Sequence, residues 1–468
     1  MRVLQVANGF PPQAFAGVEL HTLQLCRALQ GRHTLAVFCR EADLRRPEFA
    51  MRADTYADLE VWRVNNNFLD VLDFAGFYRQ PEIDAHFRAV VARWQPDLIH
   101  FQHCIGLSAE LPRLAHELGV PSLLTLHDYW YLCPTVQLLD TRPALCPGSH
   151  HAVNCFACVR LGDPRLARLR RSWMYPLAVR LPAPVKAAIA EAVELGLGRR
   201  RAAAPAAAAA VPAPTLAQQT AMAERVAAMR QTLSYPDALT APSQFVQTLY
   251  VEFGIPAERI TVMPLGMEVE RWRALRGTTA PQPGAGVRFT YIGGLLPHKG
   301  VAVALEAFRA LPGADHRLAL HGFMAPEDHR FNRELRRRIA ADPRVTWHGP
   351  YRHEADLPGI LSRTDVLLVP SLWHETFSFV AREALLAGKW VIGADAGALR
   401  ELIRPGHNGW LAPPGDVDAW AAALRTAAAS DRLALAPAET FAPWTFEDYA
   451  AAVDARYQAI RAARAGRG

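Results

Sequence analysis

Lysine is scarce in this sequence. Only three of the 468 residues are lysines, Lys186, Lys299 and Lys389, because arginine takes nearly every other basic position. A lysine that falls within a motif therefore carries more weight here than it would in an ordinary composition.

Long apolar runs are also absent. No uninterrupted hydrophobic stretch reaches the roughly 20 residues that a membrane-spanning helix needs. The first residues, MRVLQVANGF, have the pattern of a strand and lack the charged region, the apolar region and the cleavage site of a signal peptide. We therefore expect a cytoplasmic protein.

The chain nevertheless contains ample apolar material. A length of 468 residues is enough for about two or three domains, and 51% of the residues are hydrophobic, which suffices for sizeable cores. The net charge of +6 is modest. Length and composition therefore favour a globular protein of more than one domain.

The most informative stretch is 365–416, which has the pattern of a βαβ unit. It opens with DVLLVPS, an apolar run without alternation, which is typical of a strand buried on both faces of a parallel sheet. Apolar residues recur at helical spacing from Ser378 until Gly388, and WVIGAD then supplies the next strand. The turn between the strand and the helix should face the ligand edge of the sheet.

Two glutamates, Glu375 and Glu383, lie across this turn. With one just ahead of the helix and the other two turns inside it, their backbones should be on the order of 12 Å apart. Glycosidase carboxylate pairs lie only about 5 to 9.5 Å apart. The two glutamates therefore fit opposite ends of one long ligand, such as a sugar joined to a nucleoside through a diphosphate. Unpaired N–H groups of Thr376, Phe377 and Ser378 at the helix start would meet the phosphates between these ends.

The run ETFSFVARE, with VPS before it and AGKWVIG, GALRELI and GHNG after it, resembles the donor-site signature of family 4 retaining glycosyltransferases. This resemblance implies the GT-B fold, an α/β architecture in which two Rossmann-like parallel-sheet domains face each other across a cleft. In that case Glu375 would hold sugar hydroxyls and Glu383 would bind the ribose diol. The resemblance also implies transfer that retains the anomeric configuration. No Asp-x-Asp metal clamp is evident near these residues, so we expect that catalysis requires no metal or other cofactor.

The loop YIGGLLPHKG opens the second half of the chain and supplies further candidates for donor binding. Gly293 and Gly294 allow the backbone to approach a diphosphate closely, and the ammonium of Lys299 lies where it can reach one. We therefore expect Lys299 to act in catalysis as well as in donor binding.

This loop departs from the family pattern at one position. The family usually presents G-R-L here, whereas this chain has Gly294 where the arginine is expected. Either Arg382 or Arg400 replaces the missing cation, or Lys299 carries the charge alone.

The first half of the chain contributes candidates at the ends of its predicted strands. His127 ends the strand PSLLTLH, and with Asp128 it resembles the H-D of the family, whose histidine contacts the transferred sugar near the anomeric centre. His103 ends the preceding strand, and the sequence leaves open whether it belongs to the site or to the core. His100 is expected in the core. Gly17 closes the loop NGFPPQAFAG at the place where the family approaches the donor phosphates or the acceptor. This loop contains no G-x-G-x-x-G, so a nicotinamide cofactor gains no support.

Four cysteines follow the H-D within one loop rich in proline and glycine: Cys133, Cys146, Cys155 and Cys158. Only the last two form a C-x-x-C, and the other gaps are irregular. A cytoplasmic setting disfavours disulfides. Either the four thiolates close the loop around a structural zinc ion, or they are unpaired or redox-labile thiols.

Residues 160–201 are rich in arginine, with Trp173 and Tyr175 among leucine and valine, and the tract RRRAAAPAAAAAVPAPT follows from residue 199. A basic helical stretch with aromatic residues can lie on an anionic membrane surface, or it can be a solvated insertion. We favour peripheral association with the inner face of the membrane, because lipid-linked acceptors would bring this family there. No recognition motif for nucleic acid accompanies the basic residues.

These features predict three parts. They are an N-terminal Rossmann-like acceptor-side domain at 1–275, which includes the cysteine loop 133–158 and an insertion at about 160–220; a donor domain at 285–440; and a terminal helix at 441–468 that crosses back to the first domain. The predicted function is transfer of a sugar from a nucleoside-diphosphate sugar to a glycan or lipid-linked acceptor, in cell-surface polysaccharide assembly. Two alternatives stay open: a non-hydrolysing sugar-nucleotide epimerase with the same two-domain architecture, and a catalytically silent sugar-nucleotide-binding protein, which the missing arginine suggests.

Overall fold

The structure is a computed structural model, and it describes residues 1–14, 17–69, 71, 73–140, 144–151, 154–159, 213–277, 286–324 and 329–466. The basic stretch 160–201 and all but the last three residues of the alanine and proline tract lie outside these residues. The membrane association predicted for this segment therefore stays a prediction.

The first sheet begins at the start of the chain. In the described part of the chain its eight strands are β1 Arg2–Ala7, β2 Thr34–Glu41, β3 Met51–Tyr56, β4 Leu59–Asn65, β5 Leu98–Phe101, β6 Ser122–Thr125, β7 Ala238–Ala241 and β8 Ile260–Val262. Their order is β3-β4-β2-β1-β5-β6-β7-β8, and every neighbouring pair is parallel except β3 and β4. Apart from Arg2 at the start of β1, the central strands β1, β5 and β6 are buried, as their largely apolar sequences predict.

The helices of this part connect the parallel strands. They are α1 Gly17–Leu29, α2 Pro81–Trp94, α3 Leu111–Glu117, α4 Cys155–Val159, α5 Leu216–Ser234, α6 Gln244–Glu252 and α7 Val269–Arg273. Helix α2 has the bounds expected from its sequence, since Pro81 opens it and Gln95, just before Pro96, takes the left-handed conformation that ends it.

The second sheet is wholly parallel. Its strands are β9 Arg288–Ile292, β10 Arg317–His321, β11 Val345–Trp347, β12 Val366–Val369, β13 Trp390–Ala394 and β14 Gly409–Ala412. They lie in the order β11-β10-β9-β12-β13-β14. This is the doubly wound Rossmann order, in which the strand order reverses between β9 and β12. Ligands bind such sheets at the carboxyl ends of the strands beside the reversal.

The helices that follow these strands complete the fold. They are α8 Val301–Arg309, α9 His329–Ala340, α10 His353–Ser362, α11 Phe379–Leu386, α12 Leu399–Leu402, α13 Val417–Ala428 and α14 Phe446–Ala465. The observed β12, α11 and β13 are the strand, helix and strand that the stretch 365–416 predicts. None of the helices in the described ranges is both long enough and apolar enough to span a bilayer.

Helix α14 returns to the first sheet although it follows the second sheet in sequence. Its Tyr457 is fully buried there, and the Tyr457 hydroxyl lies 2.8 Å from Nδ1 of His100 and 3.1 Å from Nε2 of Gln5. Asp454 of the same helix lies 3.0 Å from Nε2 of His33. The helix therefore ties the end of the chain to the first sheet, and His100 is a core residue.

Candidate functional site

The carboxyl ends of the two sheets meet at an interdomain seam. The Tyr129 hydroxyl, after β6, donates to the backbone oxygen of His374, after β12, at 3.0 Å. The rings of Phe245 and His374 have centroids 4.7 Å apart, and Gln137 Nε2 lies 3.3 Å from Nδ1 of His298. The loops that sequence analysis singled out in each half therefore contact one another directly.

Lys299 and Glu375 share one hydrogen-bond network, which belongs to the second half of the chain. Oε1 of Glu375 accepts hydrogen bonds from Lys299 Nζ at 2.9 Å, from Ser371 Oγ at 2.6 Å and from Trp373 Nε1 at 2.9 Å. The Lys299 ammonium also lies 4.7 Å from the centroid of the Trp373 ring, a cation–π distance. Two residues 76 positions apart in sequence are thus held in one network.

This network keeps the Glu375 carboxylate ionised. Burial alone would raise its pKa, because a charged carboxylate loses its hydration. The charge of Lys299 and the hydrogen bonds from Ser371, Lys299 and Trp373 outweigh burial, so that the pKa of Glu375 lies below its usual value. The site therefore combines a fixed anion with a fixed cation.

The start of helix α11 is open beside this network. Ser378 precedes the helix in a left-handed conformation with φ of 58°, and no side chain caps the helix. The Ser378 hydroxyl is buried without a hydrogen-bond partner in the described residues. Thr376 is half-buried, and the Phe377 side chain packs against Phe379 at 5.0 Å. An uncapped helix N-terminus offers unpaired N–H groups to an anion, so the contribution that Phe377 can make to donor binding is through its backbone.

Glu383 belongs to a second network, farther along the same helix. It is 4% exposed, and its Oε1 lies 2.8 Å from Nε2 of His353. The hydrogen bond to Glu383 raises the pKa of His353 above its ordinary value, although burial opposes the shift. The two glutamates predicted to hold opposite ends of a ligand thus have different partners, an ammonium and an imidazole.

The glycine loop after β9 is tightly packed at the position where the family has an arginine. Gly293 has φ of 148°, which is outside the range that side chains favour. A Cβ atom at Gly294 would lie 3.2 Å from side-chain atoms of both Leu296 and Phe323, so these two side chains would have to shift slightly to admit a larger residue. The backbone oxygen of Gly294 accepts a hydrogen bond from the Tyr291 hydroxyl at 2.7 Å.

The two arginines proposed as substitutes each have other partners in the structure. The Arg382 guanidinium lies 4.0 Å from the Phe377 ring centroid and 5.1 Å from that of Phe441, and burial lowers its pKa to about 10. Arg400 pairs with Asp395 at 2.6 Å. Of the three candidate cations, Lys299 is the one that contacts the Glu375 network.

The histidines of the first half lie on the other side of the seam. His127 is 7% exposed, and its Nε2 lies 2.7 Å from the Gln102 side-chain oxygen. Burial, together with the nearby histidines His21, His103 and His100, lowers the pKa of His127 well below its usual value. His103 Nε2 pairs with the Asp128 carboxylate. His127 is therefore neutral at pH 7 and able to contact a neutral sugar.

His21 is a candidate site residue that no sequence pattern indicated. This residue of α1 is 3% exposed, neither ring nitrogen has a hydrogen-bond partner in the described residues, and burial lowers its pKa to about 3. Its ring centroid lies 5.3 Å from that of His127 and 6.5 Å from that of Phe379. It therefore lies between the predicted sugar contact and the start of α11.

Asn8 and Glu19 complete this missed group at the end of β1. Asn8 Nδ2 donates to Glu19 Oε1 at 3.0 Å, while Asn8 Oδ1 and Glu19 Oε2 are buried without partners in the described part of the chain. Buried polar atoms without partners commonly mark the place of an ion, water or ligand. Gly17, at the start of the same helix, has open space where a Cβ atom would lie. The sequence did contain a signal for Asn8, because this residue comes at the end of a buried strand, as His127 does.

The four cysteines lie apart from the Lys299 network, and all four thiols are free. Burial raises the pKa of Cys155 to about 12 and that of Cys158 to about 11. Among the described residues, no group of three or more histidine, cysteine, aspartate or glutamate side chains is arranged to hold a metal ion. Zinc at these four cysteines therefore stays a prediction, which metal analysis of the purified protein would test.

Comparisons with known proteins agree with this geometry. The chain matches two protein-family models, "Glycosyltransferase Family 4" over residues 15–198 and "Glycosyl transferases group 1" over residues 286–430. The amylovoran biosynthesis glycosyltransferase AmsK of Erwinia amylovora is 29% identical over 192 residues, which are 39% of this chain and 45% of that protein. The glycogen synthase of Mycobacterium tuberculosis is 31% identical over 180 residues, which are 37% of this chain and 41% of that protein. The chain spans less than half the length of these curated relatives.

Solved structures resemble the whole fold. Anabaena Alr3699/HepE in complex with UDP has a TM-score of 0.58 at 17% identity, with 100% of this chain and 99% of that chain covered. The sucrose-phosphate synthase of Thermosynechococcus elongatus has a TM-score of 0.59 at 17% identity, with 99% and 97% covered. Likeness at this identity concerns the fold, which is GT-B as predicted. The two family models together span more than half of the sequence, and the chain belongs to the family 4 glycosyltransferases.

Proposed function

We propose that this protein transfers a sugar from a nucleoside-diphosphate sugar to a glycan or lipid-linked acceptor, with retention of the anomeric configuration, in polysaccharide assembly. The observation that carries the proposal is the convergence of Lys299, Glu375 and the uncapped start of α11 at the interdomain seam. A diphosphate placed there would meet an ammonium and unpaired backbone N–H groups at once.

The charges of this site suit the cleavage of a sugar–phosphate bond. As the bond breaks, negative charge develops on the departing diphosphate and positive charge on the sugar ring. Lys299 and the N–H groups at the start of α11 are fixed in place for the first charge, and such preorganised groups usually supply the largest catalytic contribution. The ionised Glu375 would hold sugar hydroxyls and stabilise the cationic ring.

The first half would supply the acceptor side. His127 would contact the transferred sugar as a neutral hydrogen-bonding group, since its pKa lies well below 7. The unpaired atoms of Asn8, Glu19 and His21 would offer partners to hydroxyl groups of the donor sugar or the acceptor. Two relatives are named for polysaccharide synthesis, one for amylovoran and one for colanic acid, and polysaccharide is the class of product proposed here.

The proposal is tested with a panel of sugar nucleotides and purified protein. We expect a thermal shift with one donor and slow release of its sugar without acceptor, and NMR of the sugar transferred to an acceptor should show the anomeric configuration of the donor. A freely released epimerised sugar nucleotide would identify an epimerase instead. Binding of a donor without any transfer or hydrolysis would identify a silent binding protein.

Transfer is expected to continue when divalent metals are removed with EDTA. The reason is that Lys299 and the start of α11 would supply the positive charge that the leaving diphosphate needs. Initial rates with and without EDTA check this prediction. A rate that collapses in EDTA and returns with Mg²⁺ or Mn²⁺ would contradict it.

A further inference from the structure

Glu383 is held from outside its own helix. It lies in the second turn of α11, and the residue that contacts its carboxylate, His353, is the first residue of α10. The two atoms, Nε2 of His353 and Oε1 of Glu383, are 2.8 Å apart. Among the described residues, Oε1 is the oxygen of this carboxylate that has a hydrogen-bond partner.

His353 is itself held in a defined place. Its ring meets the ring of Trp272 edge to face with centroids 5.8 Å apart, and Trp272 of α7 is 1% exposed. The His353 side chain is 41% exposed, whereas that of Glu383 is 5% exposed. The partly exposed His353 ring, which packs against Trp272, thus donates a hydrogen bond to the buried carboxylate of Glu383. Besides Glu383, the charged groups that act on His353 are Glu268, which favours its protonation, and Arg271, which opposes it.

A carboxylate buried to this degree needs such a partner. Without a hydrogen-bond donor, a buried carboxylate pays a desolvation penalty, takes up a proton more readily and is free to rotate. With one oxygen held by His353, the plane of the Glu383 carboxylate has a defined orientation. Groups that orient a ligand-binding side chain in this way commonly tune its affinity without touching the ligand.

We propose that His353 is a positioning residue for the nucleotide: by holding Oε1 of Glu383, it presents the carboxylate to the vicinal hydroxyls of the ribose. This inference rests on the proposed function, in which Glu383 binds the ribose diol. In this role, His353 enables the site to distinguish a ribonucleotide from its 2′-deoxy counterpart.

The test compares nucleotide binding by His353→Ala, His353→Gln and the unaltered protein. Isothermal titration calorimetry with UDP, GDP and ADP first finds the base that binds, and its 2′-deoxy diphosphate is then measured beside it. We expect His353→Ala to bind the ribonucleotide about tenfold more weakly, which corresponds to about 1.4 kcal/mol, a typical value for a hydrogen bond to a charged group. Binding of the 2′-deoxynucleotide should change by less than about twofold, and donor KM should rise while kcat stays unchanged.

His353→Gln should retain most of the affinity, because its amide N–H can donate to the same carboxylate oxygen. The matched control is His316→Ala. His316 also makes one hydrogen bond, accepted at Nδ1 from the Val287 N–H at 3.1 Å, but it lies just before β10, at the amino ends of the strands and away from the carboxyl ends. This control should leave the ratio of ribonucleotide to deoxynucleotide affinity unchanged.

Two results would overturn the inference. One is an equal loss of both nucleotides in His353→Ala, which would indicate a merely structural role; the other is a His353→Gln variant as weak as His353→Ala. Glu383→Ala separates this failure from failure of the proposed function. If Glu383→Ala removes the discrimination and His353→Ala keeps it, only the role of His353 is wrong; if Glu383→Ala also keeps it, the ribose assignment itself is wrong.

Discussion

Replacement of Glu375 by glutamine is expected to lower kcat for sugar transfer by about 10²- to 10³-fold, as the loss of one preorganised electrostatic group does in other enzymes. The amide has the size of the carboxylate and can still accept hydrogen bonds from Ser371 and Trp373. It lacks the negative charge that faces Lys299 at 2.9 Å and that would stabilise a cationic sugar ring. Initial transfer rates at saturating donor measure the effect. Glu375→Ala, which also removes the hydrogen-bond acceptor, should abolish transfer.

The matched control is Glu334→Gln. Glu334 also holds basic side chains, those of Arg337 and Arg338, but it does so at the surface of helix α9. Its replacement should leave the transfer rate unchanged. Normal turnover by Glu375→Gln, with a far-UV circular dichroism spectrum like that of the unaltered protein, would reject the assignment of Glu375.

Replacement of Lys299 by methionine is expected to lower kcat by about 10²- to 10³-fold and to weaken binding of the nucleoside diphosphate. Methionine keeps much of the unbranched apolar stem and lacks the ammonium that would neutralise the leaving diphosphate. Calorimetry with the diphosphate and initial-rate measurements separate the two effects.

The same variant should change the pH dependence of the residual activity. In the unaltered protein, Lys299 is the largest influence that keeps the pKa of the buried Glu375 below its usual value. Without the ammonium, burial dominates and the pKa rises. Activity that needs the ionised carboxylate should therefore be lost, as pH falls, at a higher pH in Lys299→Met than in the unaltered protein. An acid limb at the same pH would show that Glu375 does not depend on Lys299.

Arg400→Met, compared with Lys299→Met, tests which cation takes the place of the arginine that is missing at Gly294. Arg400 pairs with Asp395, and its side chain is 62% exposed. If Lys299 carries the charge alone, Arg400→Met should transfer at a rate close to that of the unaltered protein. A loss as large as that of Lys299→Met would place Arg400 at the diphosphate and contradict the arrangement seen here.

The second sheet was largely predictable because its sequence signals are local. The apolar strand β12, the helix from Ser378 to just before Gly388 and the strand β13 each have their own periodicity, and a glycine closes the helix. Edge strand β3 was missed in the first sheet. The residues of its sequence MRADTY are alternately exposed and half-buried. It forms a strand because it pairs antiparallel with β4 at the end of the sheet.

The candidate site was predictable only in part. The scarcity of lysine and the match of ETFSFVARE to a donor signature singled out Lys299, Glu375 and Glu383. No local pattern indicated that His353 would contact Glu383 or that His21 would lie between His127 and Phe379. These contacts join residues from different strands and helices, and hydrophobic periodicity does not record which loops come together.

The arginine alternatives show the same limit. From the sequence, Arg382 and Arg400 were equal candidates for a phosphate contact. The structure directs the Arg382 side chain between Phe377 and Phe441 and pairs Arg400 with Asp395. Where a long side chain points depends on which rings and carboxylates surround it, and those neighbours come from other segments of the chain.

The sequence alone determined the alternation of strands and helices, the βαβ unit that contains both glutamates, and the single lysine in the glycine loop, because each of these follows from the order of neighbouring residues. Tertiary structure alone decided that Lys299 and Glu375 would share one hydrogen-bonded network, that Ser378 would leave the start of α11 uncapped, and that buried polar atoms of Asn8, Glu19 and His21 would lie across the seam. The physical reason is that packing of the two sheets, with α14 lying back on the first, brings together side chains that are far apart in the chain.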